Sequence, residues 1–165
     1  MATIHSYSVG GIGALNANAT VPKPSGTASG NLLLVMATTF GAAPTAVSMA
    51  GFSTFVQVPG FNVFIGYREA DGSEGANFTL NRTGNNGSTM AAVMYRISGH
   101  DPSTPFDVYE GLHNTSTSTT SVIPSVNATY GGLLVSSFFK NGNIAPTSTQ
   151  PSGMTFGGDD SSHAN

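Results

Sequence analysis

No stretch of about ten residues or more in this chain combines helical periodicity with caps. Short runs rich in Val, Ile, Phe, Tyr and Thr recur instead, each bounded by Gly, Pro, Asn or Ser. Branched and aromatic side chains suit a pleated backbone and the bounding residues suit turns, so the chain reads as all-β. Strands are expected over 3–9, 17–21, 31–39, 46–49, 52–58, 62–70, 76–80, 88–98, 106–112, 117–123 and 132–139. Their regular length and turn spacing favour an antiparallel β-sandwich of jelly-roll type over an open sheet. With 165 residues and 39% hydrophobic content, one such domain is expected across 1–165. Residues 1–16 are expected to form an extended N-terminal arm, apolar enough to pair with a neighbour but broken by glycine, and 158–165 a flexible end.

Alternation within the longest runs sorts residues onto faces. Phe61, Val63, Ile65, Tyr67 and Glu69 share one face of their strand, opposite Asn62, Phe64, Gly66 and Arg68. Thr89, Ala91, Val93, Tyr95 and Ile97 share another, opposite Met90, Ala92, Met94 and Arg96. Neither strand has a fully polar reverse side. The second faces, carrying Phe64, Met90 and Met94, are therefore expected to meet another subunit or a covering loop. With Ile4 and Tyr7 of the N-terminal segment, they make up the candidate partner-contact residues.

Charge narrows the choice of partner. Only 8% of residues are charged, far below the roughly 25% of an ordinary globular protein. The net charge is −3, and the five basic residues, Lys23, Arg68, Arg82, Arg96 and Lys140, are scattered, with no patch to neutralise phosphates. No nucleic-acid partner is expected. The longest apolar stretch, Leu32 to Ala37, falls far short of the ~20 residues that span a bilayer, and the N-terminus lacks the basic start and apolar core of a signal peptide. Neither a membrane partner nor general secretion is expected. The absence of cysteine leaves no thiolate metal site.

Reactive constellations are few. Tyr67-Arg68-Glu69-Ala70-Asp71-Gly72-Ser73-Glu74-Gly75 gathers carboxylates and an arginine on a glycine-rich stretch, which reads as a turn joining two antiparallel strands into a hairpin. As a calcium loop it offers two carboxylates and a hydroxyl, short of the six to eight oxygens the ion takes. Asp107, Glu110 and His113 would share a face on a helix, but Phe106, Val108 and Leu112 suggest an extended segment that separates them. His100-Asp101-Pro102 reads as a turn. Gly10-Gly11-Ile12-Gly13 resembles part of a phosphate loop, yet no helix pattern follows it, and it reads as a linker. No Gly-x-Ser-x-Gly elbow occurs. No catalytic residue, metal or cofactor is expected.

Two segments resemble each other. SGNLLLVMATTFGAAPTAVSMAGFSTF, from Ser29, and YGGLLVSSFFKNGNIAPTSTQPSGMTF, from Tyr130, start 101 residues apart. They share Gly-x-Leu-Leu, an apolar run and Ala-Pro-Thr. This is either a duplicated strand-loop-strand of a double-sheet fold or coincidence in Gly/Thr-rich sequence. On the first reading, the chain is expected to end just inside the second copy.

The order of motifs carries a family resemblance. Pro24-Ser25-Gly26-Thr27-Ala28-Ser29-Gly30-Asn31-Leu32-Leu33-Leu34 is followed by Gly51-Phe52, then by Tyr67 to Glu74 and Phe78-Thr79. Ala91-Ala92-Val93-Met94-Tyr95-Arg96-Ile97-Ser98-Gly99 and the loop His100 to Asp107 complete it. Together these resemble a group of tailed-phage and prophage virion proteins, among them capsid decoration (cement) proteins and modules of tail and fibre proteins. Phe52 stands where that pattern usually carries tryptophan. The resemblance implies a β-sandwich or jelly roll with a non-enzymatic structural role. Its partners would be the major capsid protein and further copies of itself, first of all as a homotrimer. It would be made in the host cytoplasm and placed on the phage head surface. The alternative it leaves is a tail-fibre module that binds a receptor or carbohydrate, with Tyr7, Tyr109 and Tyr130 as aromatic platforms.

Overall fold

The computed structural model describes residues 1–12, 18–40, 46–57, 63–84, 89–106 and 132–135, without the side chains of Ile12 and Gln57. Among these residues there is no helix. Eight strands form: β1 (Thr3–Ile12), β2 (Ala19–Pro22), β3 (Leu32–Phe40), β4 (Ala46–Met49), β5 (Ser53–Gln57), β6 (Val63–Glu69), β7 (Asn77–Thr83) and β8 (Thr89–Ser98). The strand expected over 46–49 coincides with β4, and the first seven others are met within a few residues. Phe106 and 132–135 are not in strands, and the rest of the strands expected over 106–112, 117–123 and 132–139 lie outside the described residues, as does the flexible end expected at 158–165.

Every pairing is antiparallel, in the order β4–β7–β2–β1–β8–β3–β6–β5. The pairs are nested: β1 with β8, β2 with β7 and β3 with β6. β4 and β5 follow each other round a tight corner in which the Phe52 N–H donates to the Met49 carbonyl at 3.1 Å. β4 also approaches β5 and β6, so the sheet bends until its two ends face each other.

That bend creates an interior. Ala19 and Val21 of β2, Leu33, Val35 and Ala37 of β3, Val47 and Met49 of β4, Phe64 of β6, Leu80 of β7 and Met90, Ala92 and Met94 of β8 form one buried cluster. Phe64 and Met90 are each 1% exposed and Met94 is 0% exposed. This corrects their reading as partner-contact residues: the face they occupy lines the chain's own core. Alternation separated the two faces of β6 and β8 but carried no sign for which one turns inward.

β1 corrects the arm. Residues 3–12 are an internal strand of the sheet, paired with β8 over most of their length and with β2 at Gly11. Gly10 and Gly11 therefore belong to a ladder rather than to a linker or phosphate loop. Glycine is required at position 10 because β2 crosses close to it: a Cβ there would lie 2.6 Å from the Val21 Cα and closer still to the Thr20 carbonyl oxygen. Pairing is irregular at His5, where a bulge separates Ile4, opposite Ile97, from Ser6, opposite Arg96. Ile4 and Tyr7, three residues apart, would point to opposite faces of a regular strand. The bulge brings both to the outer face, beside Ile97 and Tyr95 respectively.

β3 carries a hydroxyl in the interior. The Thr39 hydroxyl is buried and finds no hydrogen-bond partner among the described residues. Burying an unsatisfied hydroxyl costs about 1–3 kcal/mol, so Thr39→Val, nearly the same shape without that group, is expected to raise stability by about 1 kcal/mol. A urea unfolding midpoint equal to or below that of the unsubstituted protein would contradict this.

Candidate functional site

The acidic stretch 68–74 takes a different place from the one its composition suggests. β6 pairs with β3 and β5 while β7 pairs with β2 and β4, so residues 70–76 are a crossover between the two halves of the bent sheet, not a hairpin turn. Turn residues look alike in both roles, and only the pairing separates them. The crossover runs beside the loop that joins β2 to β3. The Ala70 N–H donates to the Asn31 carbonyl and the Gly30 N–H to the Ala70 carbonyl, both at 2.8 Å, and the Lys23 N–H donates to the Ala76 carbonyl at 2.9 Å. The Lys23 ammonium donates to the Glu74 carbonyl at 2.8 Å.

Glu74 is the centre of this clasp. Its side chain is 0% exposed, and Oε1 accepts from the Asp71 N–H at 2.7 Å and from Arg68 Nη2 at 3.1 Å, while Oε2 accepts from the Gly72 N–H at 3.1 Å. Gly72 sits at φ 90°, a conformation that glycine adopts without steric cost. Asp71 is mostly exposed; its Oδ1 accepts from both the N–H and the hydroxyl of Ser73, at 2.7 and 2.6 Å, and its Oδ2 from Arg68 Nη2 at 3.2 Å. The Ser73 hydroxyl, then the Ser73 N–H, and more weakly the Arg68 charge hold the Asp71 carboxyl below its ordinary value. All four carboxylate oxygens thus face donors of the chain itself, so the arrangement ties a loop together rather than presenting lone pairs to an ion.

The His100–Thr104 loop follows the same logic. Asp101 Oδ1 accepts from the Ser103 N–H at 2.9 Å and its hydroxyl at 2.6 Å, and Oδ2 from the Thr104 hydroxyl at 3.2 Å. The Ser103 hydroxyl and then its N–H lower the Asp101 pKa. The turn expected at His100-Asp101-Pro102 is present. His100 is nearly buried, with Nε2 4.0 Å from Glu69 Oε2. Among the described residues no group of three or more His, Asp or Glu could hold a metal; Asp107, Glu110 and His113 lie outside them.

A second apolar cluster lies on the outer face of the layer β1–β8–β3–β6. Leu32, Leu34, Tyr95 and Ile97 are buried there, flanked by Ile4, Met36, Ile65, Tyr67 and Val93. Part of the cover comes from later in the chain. After the Asp101 turn the Phe106 ring stacks on Phe55 with centroids 4.4 Å apart and meets the edge of Tyr67 at 4.9 Å. Leu133 and Val135 also pack on this face, and Leu134 between them is 51% exposed. Tyr7, 39% exposed, has its ring centroid 6.4 Å from that of Tyr95.

Of the five partner-contact candidates, then, Ile4 and Tyr7 lie on this outer face, and Phe64, Met90 and Met94 lie beneath it in the core. Leu32, Leu34, Tyr95 and Ile97 were missed as surface-forming residues. The unbroken Leu32-Leu33-Leu34-Val35 run was their signal, because a strand covered on both faces loses alternation. Tyr109 and Tyr130 fall outside the described residues. Compared with protein-family models, curated proteins and solved structures, the chain matches none.

Proposed function

We propose that this chain is a non-enzymatic structural protein of a tailed-phage virion, a capsid decoration (cement) protein, and that its bent sheet is a jelly-roll sandwich. Many copies would bind the lattice of the major capsid protein on the head surface and stabilise the shell against the pressure of packaged DNA. The observation that carries the reading is the nesting of strands: β1 with β8, β2 with β7 and β3 with β6, closed by the β4–β5 corner. A long antiparallel ribbon rolled on itself produces this adjacency, and double-sheet jelly rolls of eight strands recur in viral capsid and lectin domains. The resemblance carried by the motif order from Pro24 to Asp107 supports a virion role among these. The exposed Tyr7 and Leu134, which border the covered outer face of one layer, offer apolar side chains for contact with further copies.

Copy number in purified virions, measured by quantitative mass spectrometry, tests the reading. Decoration requires on the order of hundreds of copies per particle, as the symmetry of a capsid lattice dictates. Roughly three to eighteen copies would instead place the protein in the tail, as a fibre or receptor-binding module. Absence from virions would overturn both.

A further inference from the structure

Asp71-Gly72 is the single Asp-Gly pair of the chain. Such a pair carries an intrinsic reaction. The glycine nitrogen attacks the aspartate Cγ, a C–N bond forms, and the N–H proton and the carboxyl OH leave together as water. The cyclic imide then takes up water at either carbonyl and opens to aspartate or to isoaspartate, in which the backbone runs through Cβ and Cγ and the carboxylate sits on Cα. A glycine after the aspartate puts no side chain in the way of the attack. The Asp71 side chain is also 61% exposed, open to the water that the second step consumes.

The clasp opposes each requirement of that reaction. The nucleophile must lose its proton, but the Gly72 N–H donates to Glu74 Oε2 at 3.1 Å, and negative charge building on that nitrogen would face a buried carboxylate. The carboxyl must be neutral for its OH to leave, but the Ser73 hydroxyl and N–H, with Arg68, favour the ionised form. Cγ must turn its face to the nitrogen, but Oδ1 is tied to both Ser73 donors and Oδ2 to Arg68, so the carboxylate cannot rotate without breaking them. The Asp101 loop makes a natural contrast. It repeats the two bonds from a serine N–H and hydroxyl to Oδ1, yet the next residue is Pro102, which has no N–H to lose. The Glu74 contact that restrains a nucleophile occurs at the loop that has one.

We propose that Asp71-Gly72 is a masked modification site: the Arg68, Ser73 and Glu74 contacts keep it from forming isoaspartate, and opening the clasp exposes it to that reaction. Once formed, isoaspartate moves the carboxylate away from the Ser73 donors and lengthens the loop backbone, so the closed clasp cannot be restored. This goes beyond the decoration reading and is tested on the isolated chain, so either can fail without the other.

The folded chain and the same chain in urea are incubated at neutral pH and digested with trypsin, and isoaspartate is followed in the peptide 69–82, which cleavage after Arg68 and Arg82 releases. Chromatographic separation and electron-transfer fragmentation read it, since the mass does not change. Mapping this peptide keeps out Asn86-Gly87 and Asn141-Gly142, which reach the same product by losing ammonia. Isoaspartate at residue 71 is expected to form at least about tenfold more slowly in the folded chain than in urea, because the reaction waits on local opening. Ser73→Ala, at an exposed residue, should raise the folded-state rate about fivefold, the factor that one lost hydrogen bond sets. Ser103→Ala removes the matching bond from the Asp101 loop and should leave the rate at residue 71 unchanged. Three results overturn the proposal: a folded chain that reacts as fast as the unfolded one, a Ser73→Ala chain no faster than the parent, or a Ser103→Ala chain accelerated as much as Ser73→Ala. The last would assign the protection to overall stability rather than to the clasp.

Discussion

Glu74→Gln is expected to destabilise the protein by about 2–3 kcal/mol, and to lower the thermal midpoint by roughly 5–10 °C for a chain of this length. The substitution keeps the volume of the side chain and removes its charge. Both Glu74 oxygens accept from donors, Oε1 from the Asp71 N–H and Arg68 and Oε2 from the Gly72 N–H. A glutamine must therefore aim its NH2 at an N–H whichever way the amide is turned, leaving a buried donor unmatched. Losing one partner of a fully buried ion pair costs about 3–5 kcal/mol. The lower figure applies here because Arg68 is 21% exposed and keeps Asp71 at 3.2 Å. Asp71→Asn, at an exposed carboxylate, should cost much less. Urea unfolding of the two variants checks the order, and a Glu74→Gln midpoint matching the parent's would rule out the clasp as a determinant of stability.

Acid should weaken the same loop, with a definite sign. The folded-state pKa of Asp71 lies below its ordinary value of 3.8, chiefly through the Ser73 hydroxyl. Its contribution to stability is therefore complete above that ordinary value and lost as the pH falls through the lowered one. Asp101, held down by Ser103, behaves alike at the other loop.

The clasp shows where sequence reading stops. Strand existence was legible from local chemistry, since runs such as Ala46–Met49 and Thr89–Ser98 carry branched or long apolar residues between turn formers. Pairing was not. Asp71-Gly72-Ser73 makes a tight bend whether the next strand lies alongside or across the fold, and only the partners of β6 and β7 decide which. The N-terminal segment misled for a related reason: Gly10 looked like a break, but its missing side chain is what lets β2 pass over β1. Ile4 and Tyr7 reach one face only through the bulge at His5, a backbone event with no residue signature. The Arg68–Glu74 pair was visible as a cluster, and its structural use follows from two backbone N–H groups that composition does not display.

Phe64→Ala is expected to cost about 3–5 kcal/mol, the usual range for deleting a buried ring. Phe64 lies opposite Ala37 of β3 and belongs to the cluster containing Val35, Leu80 and Met94. Its ring crosses the bare backbone of Gly66, where a Cβ would come within 2.7 Å of Cζ, so no side chain on its own strand can fill the vacated space at that position. Relaxation is limited further because β6 is held on both sides, by β3 and β5. Tyr7→Ala, on the outer face and 39% exposed, should change stability by less than about 1 kcal/mol. A surface role for Phe64 predicts the reverse: near-normal unfolding of Phe64→Ala together with weaker self-association. Denaturant unfolding of the two variants, with sedimentation at several concentrations, distinguishes these outcomes. It also decides which face of β6 is available to a partner, because a ring that holds the two halves of the bent sheet together cannot also stand on its surface.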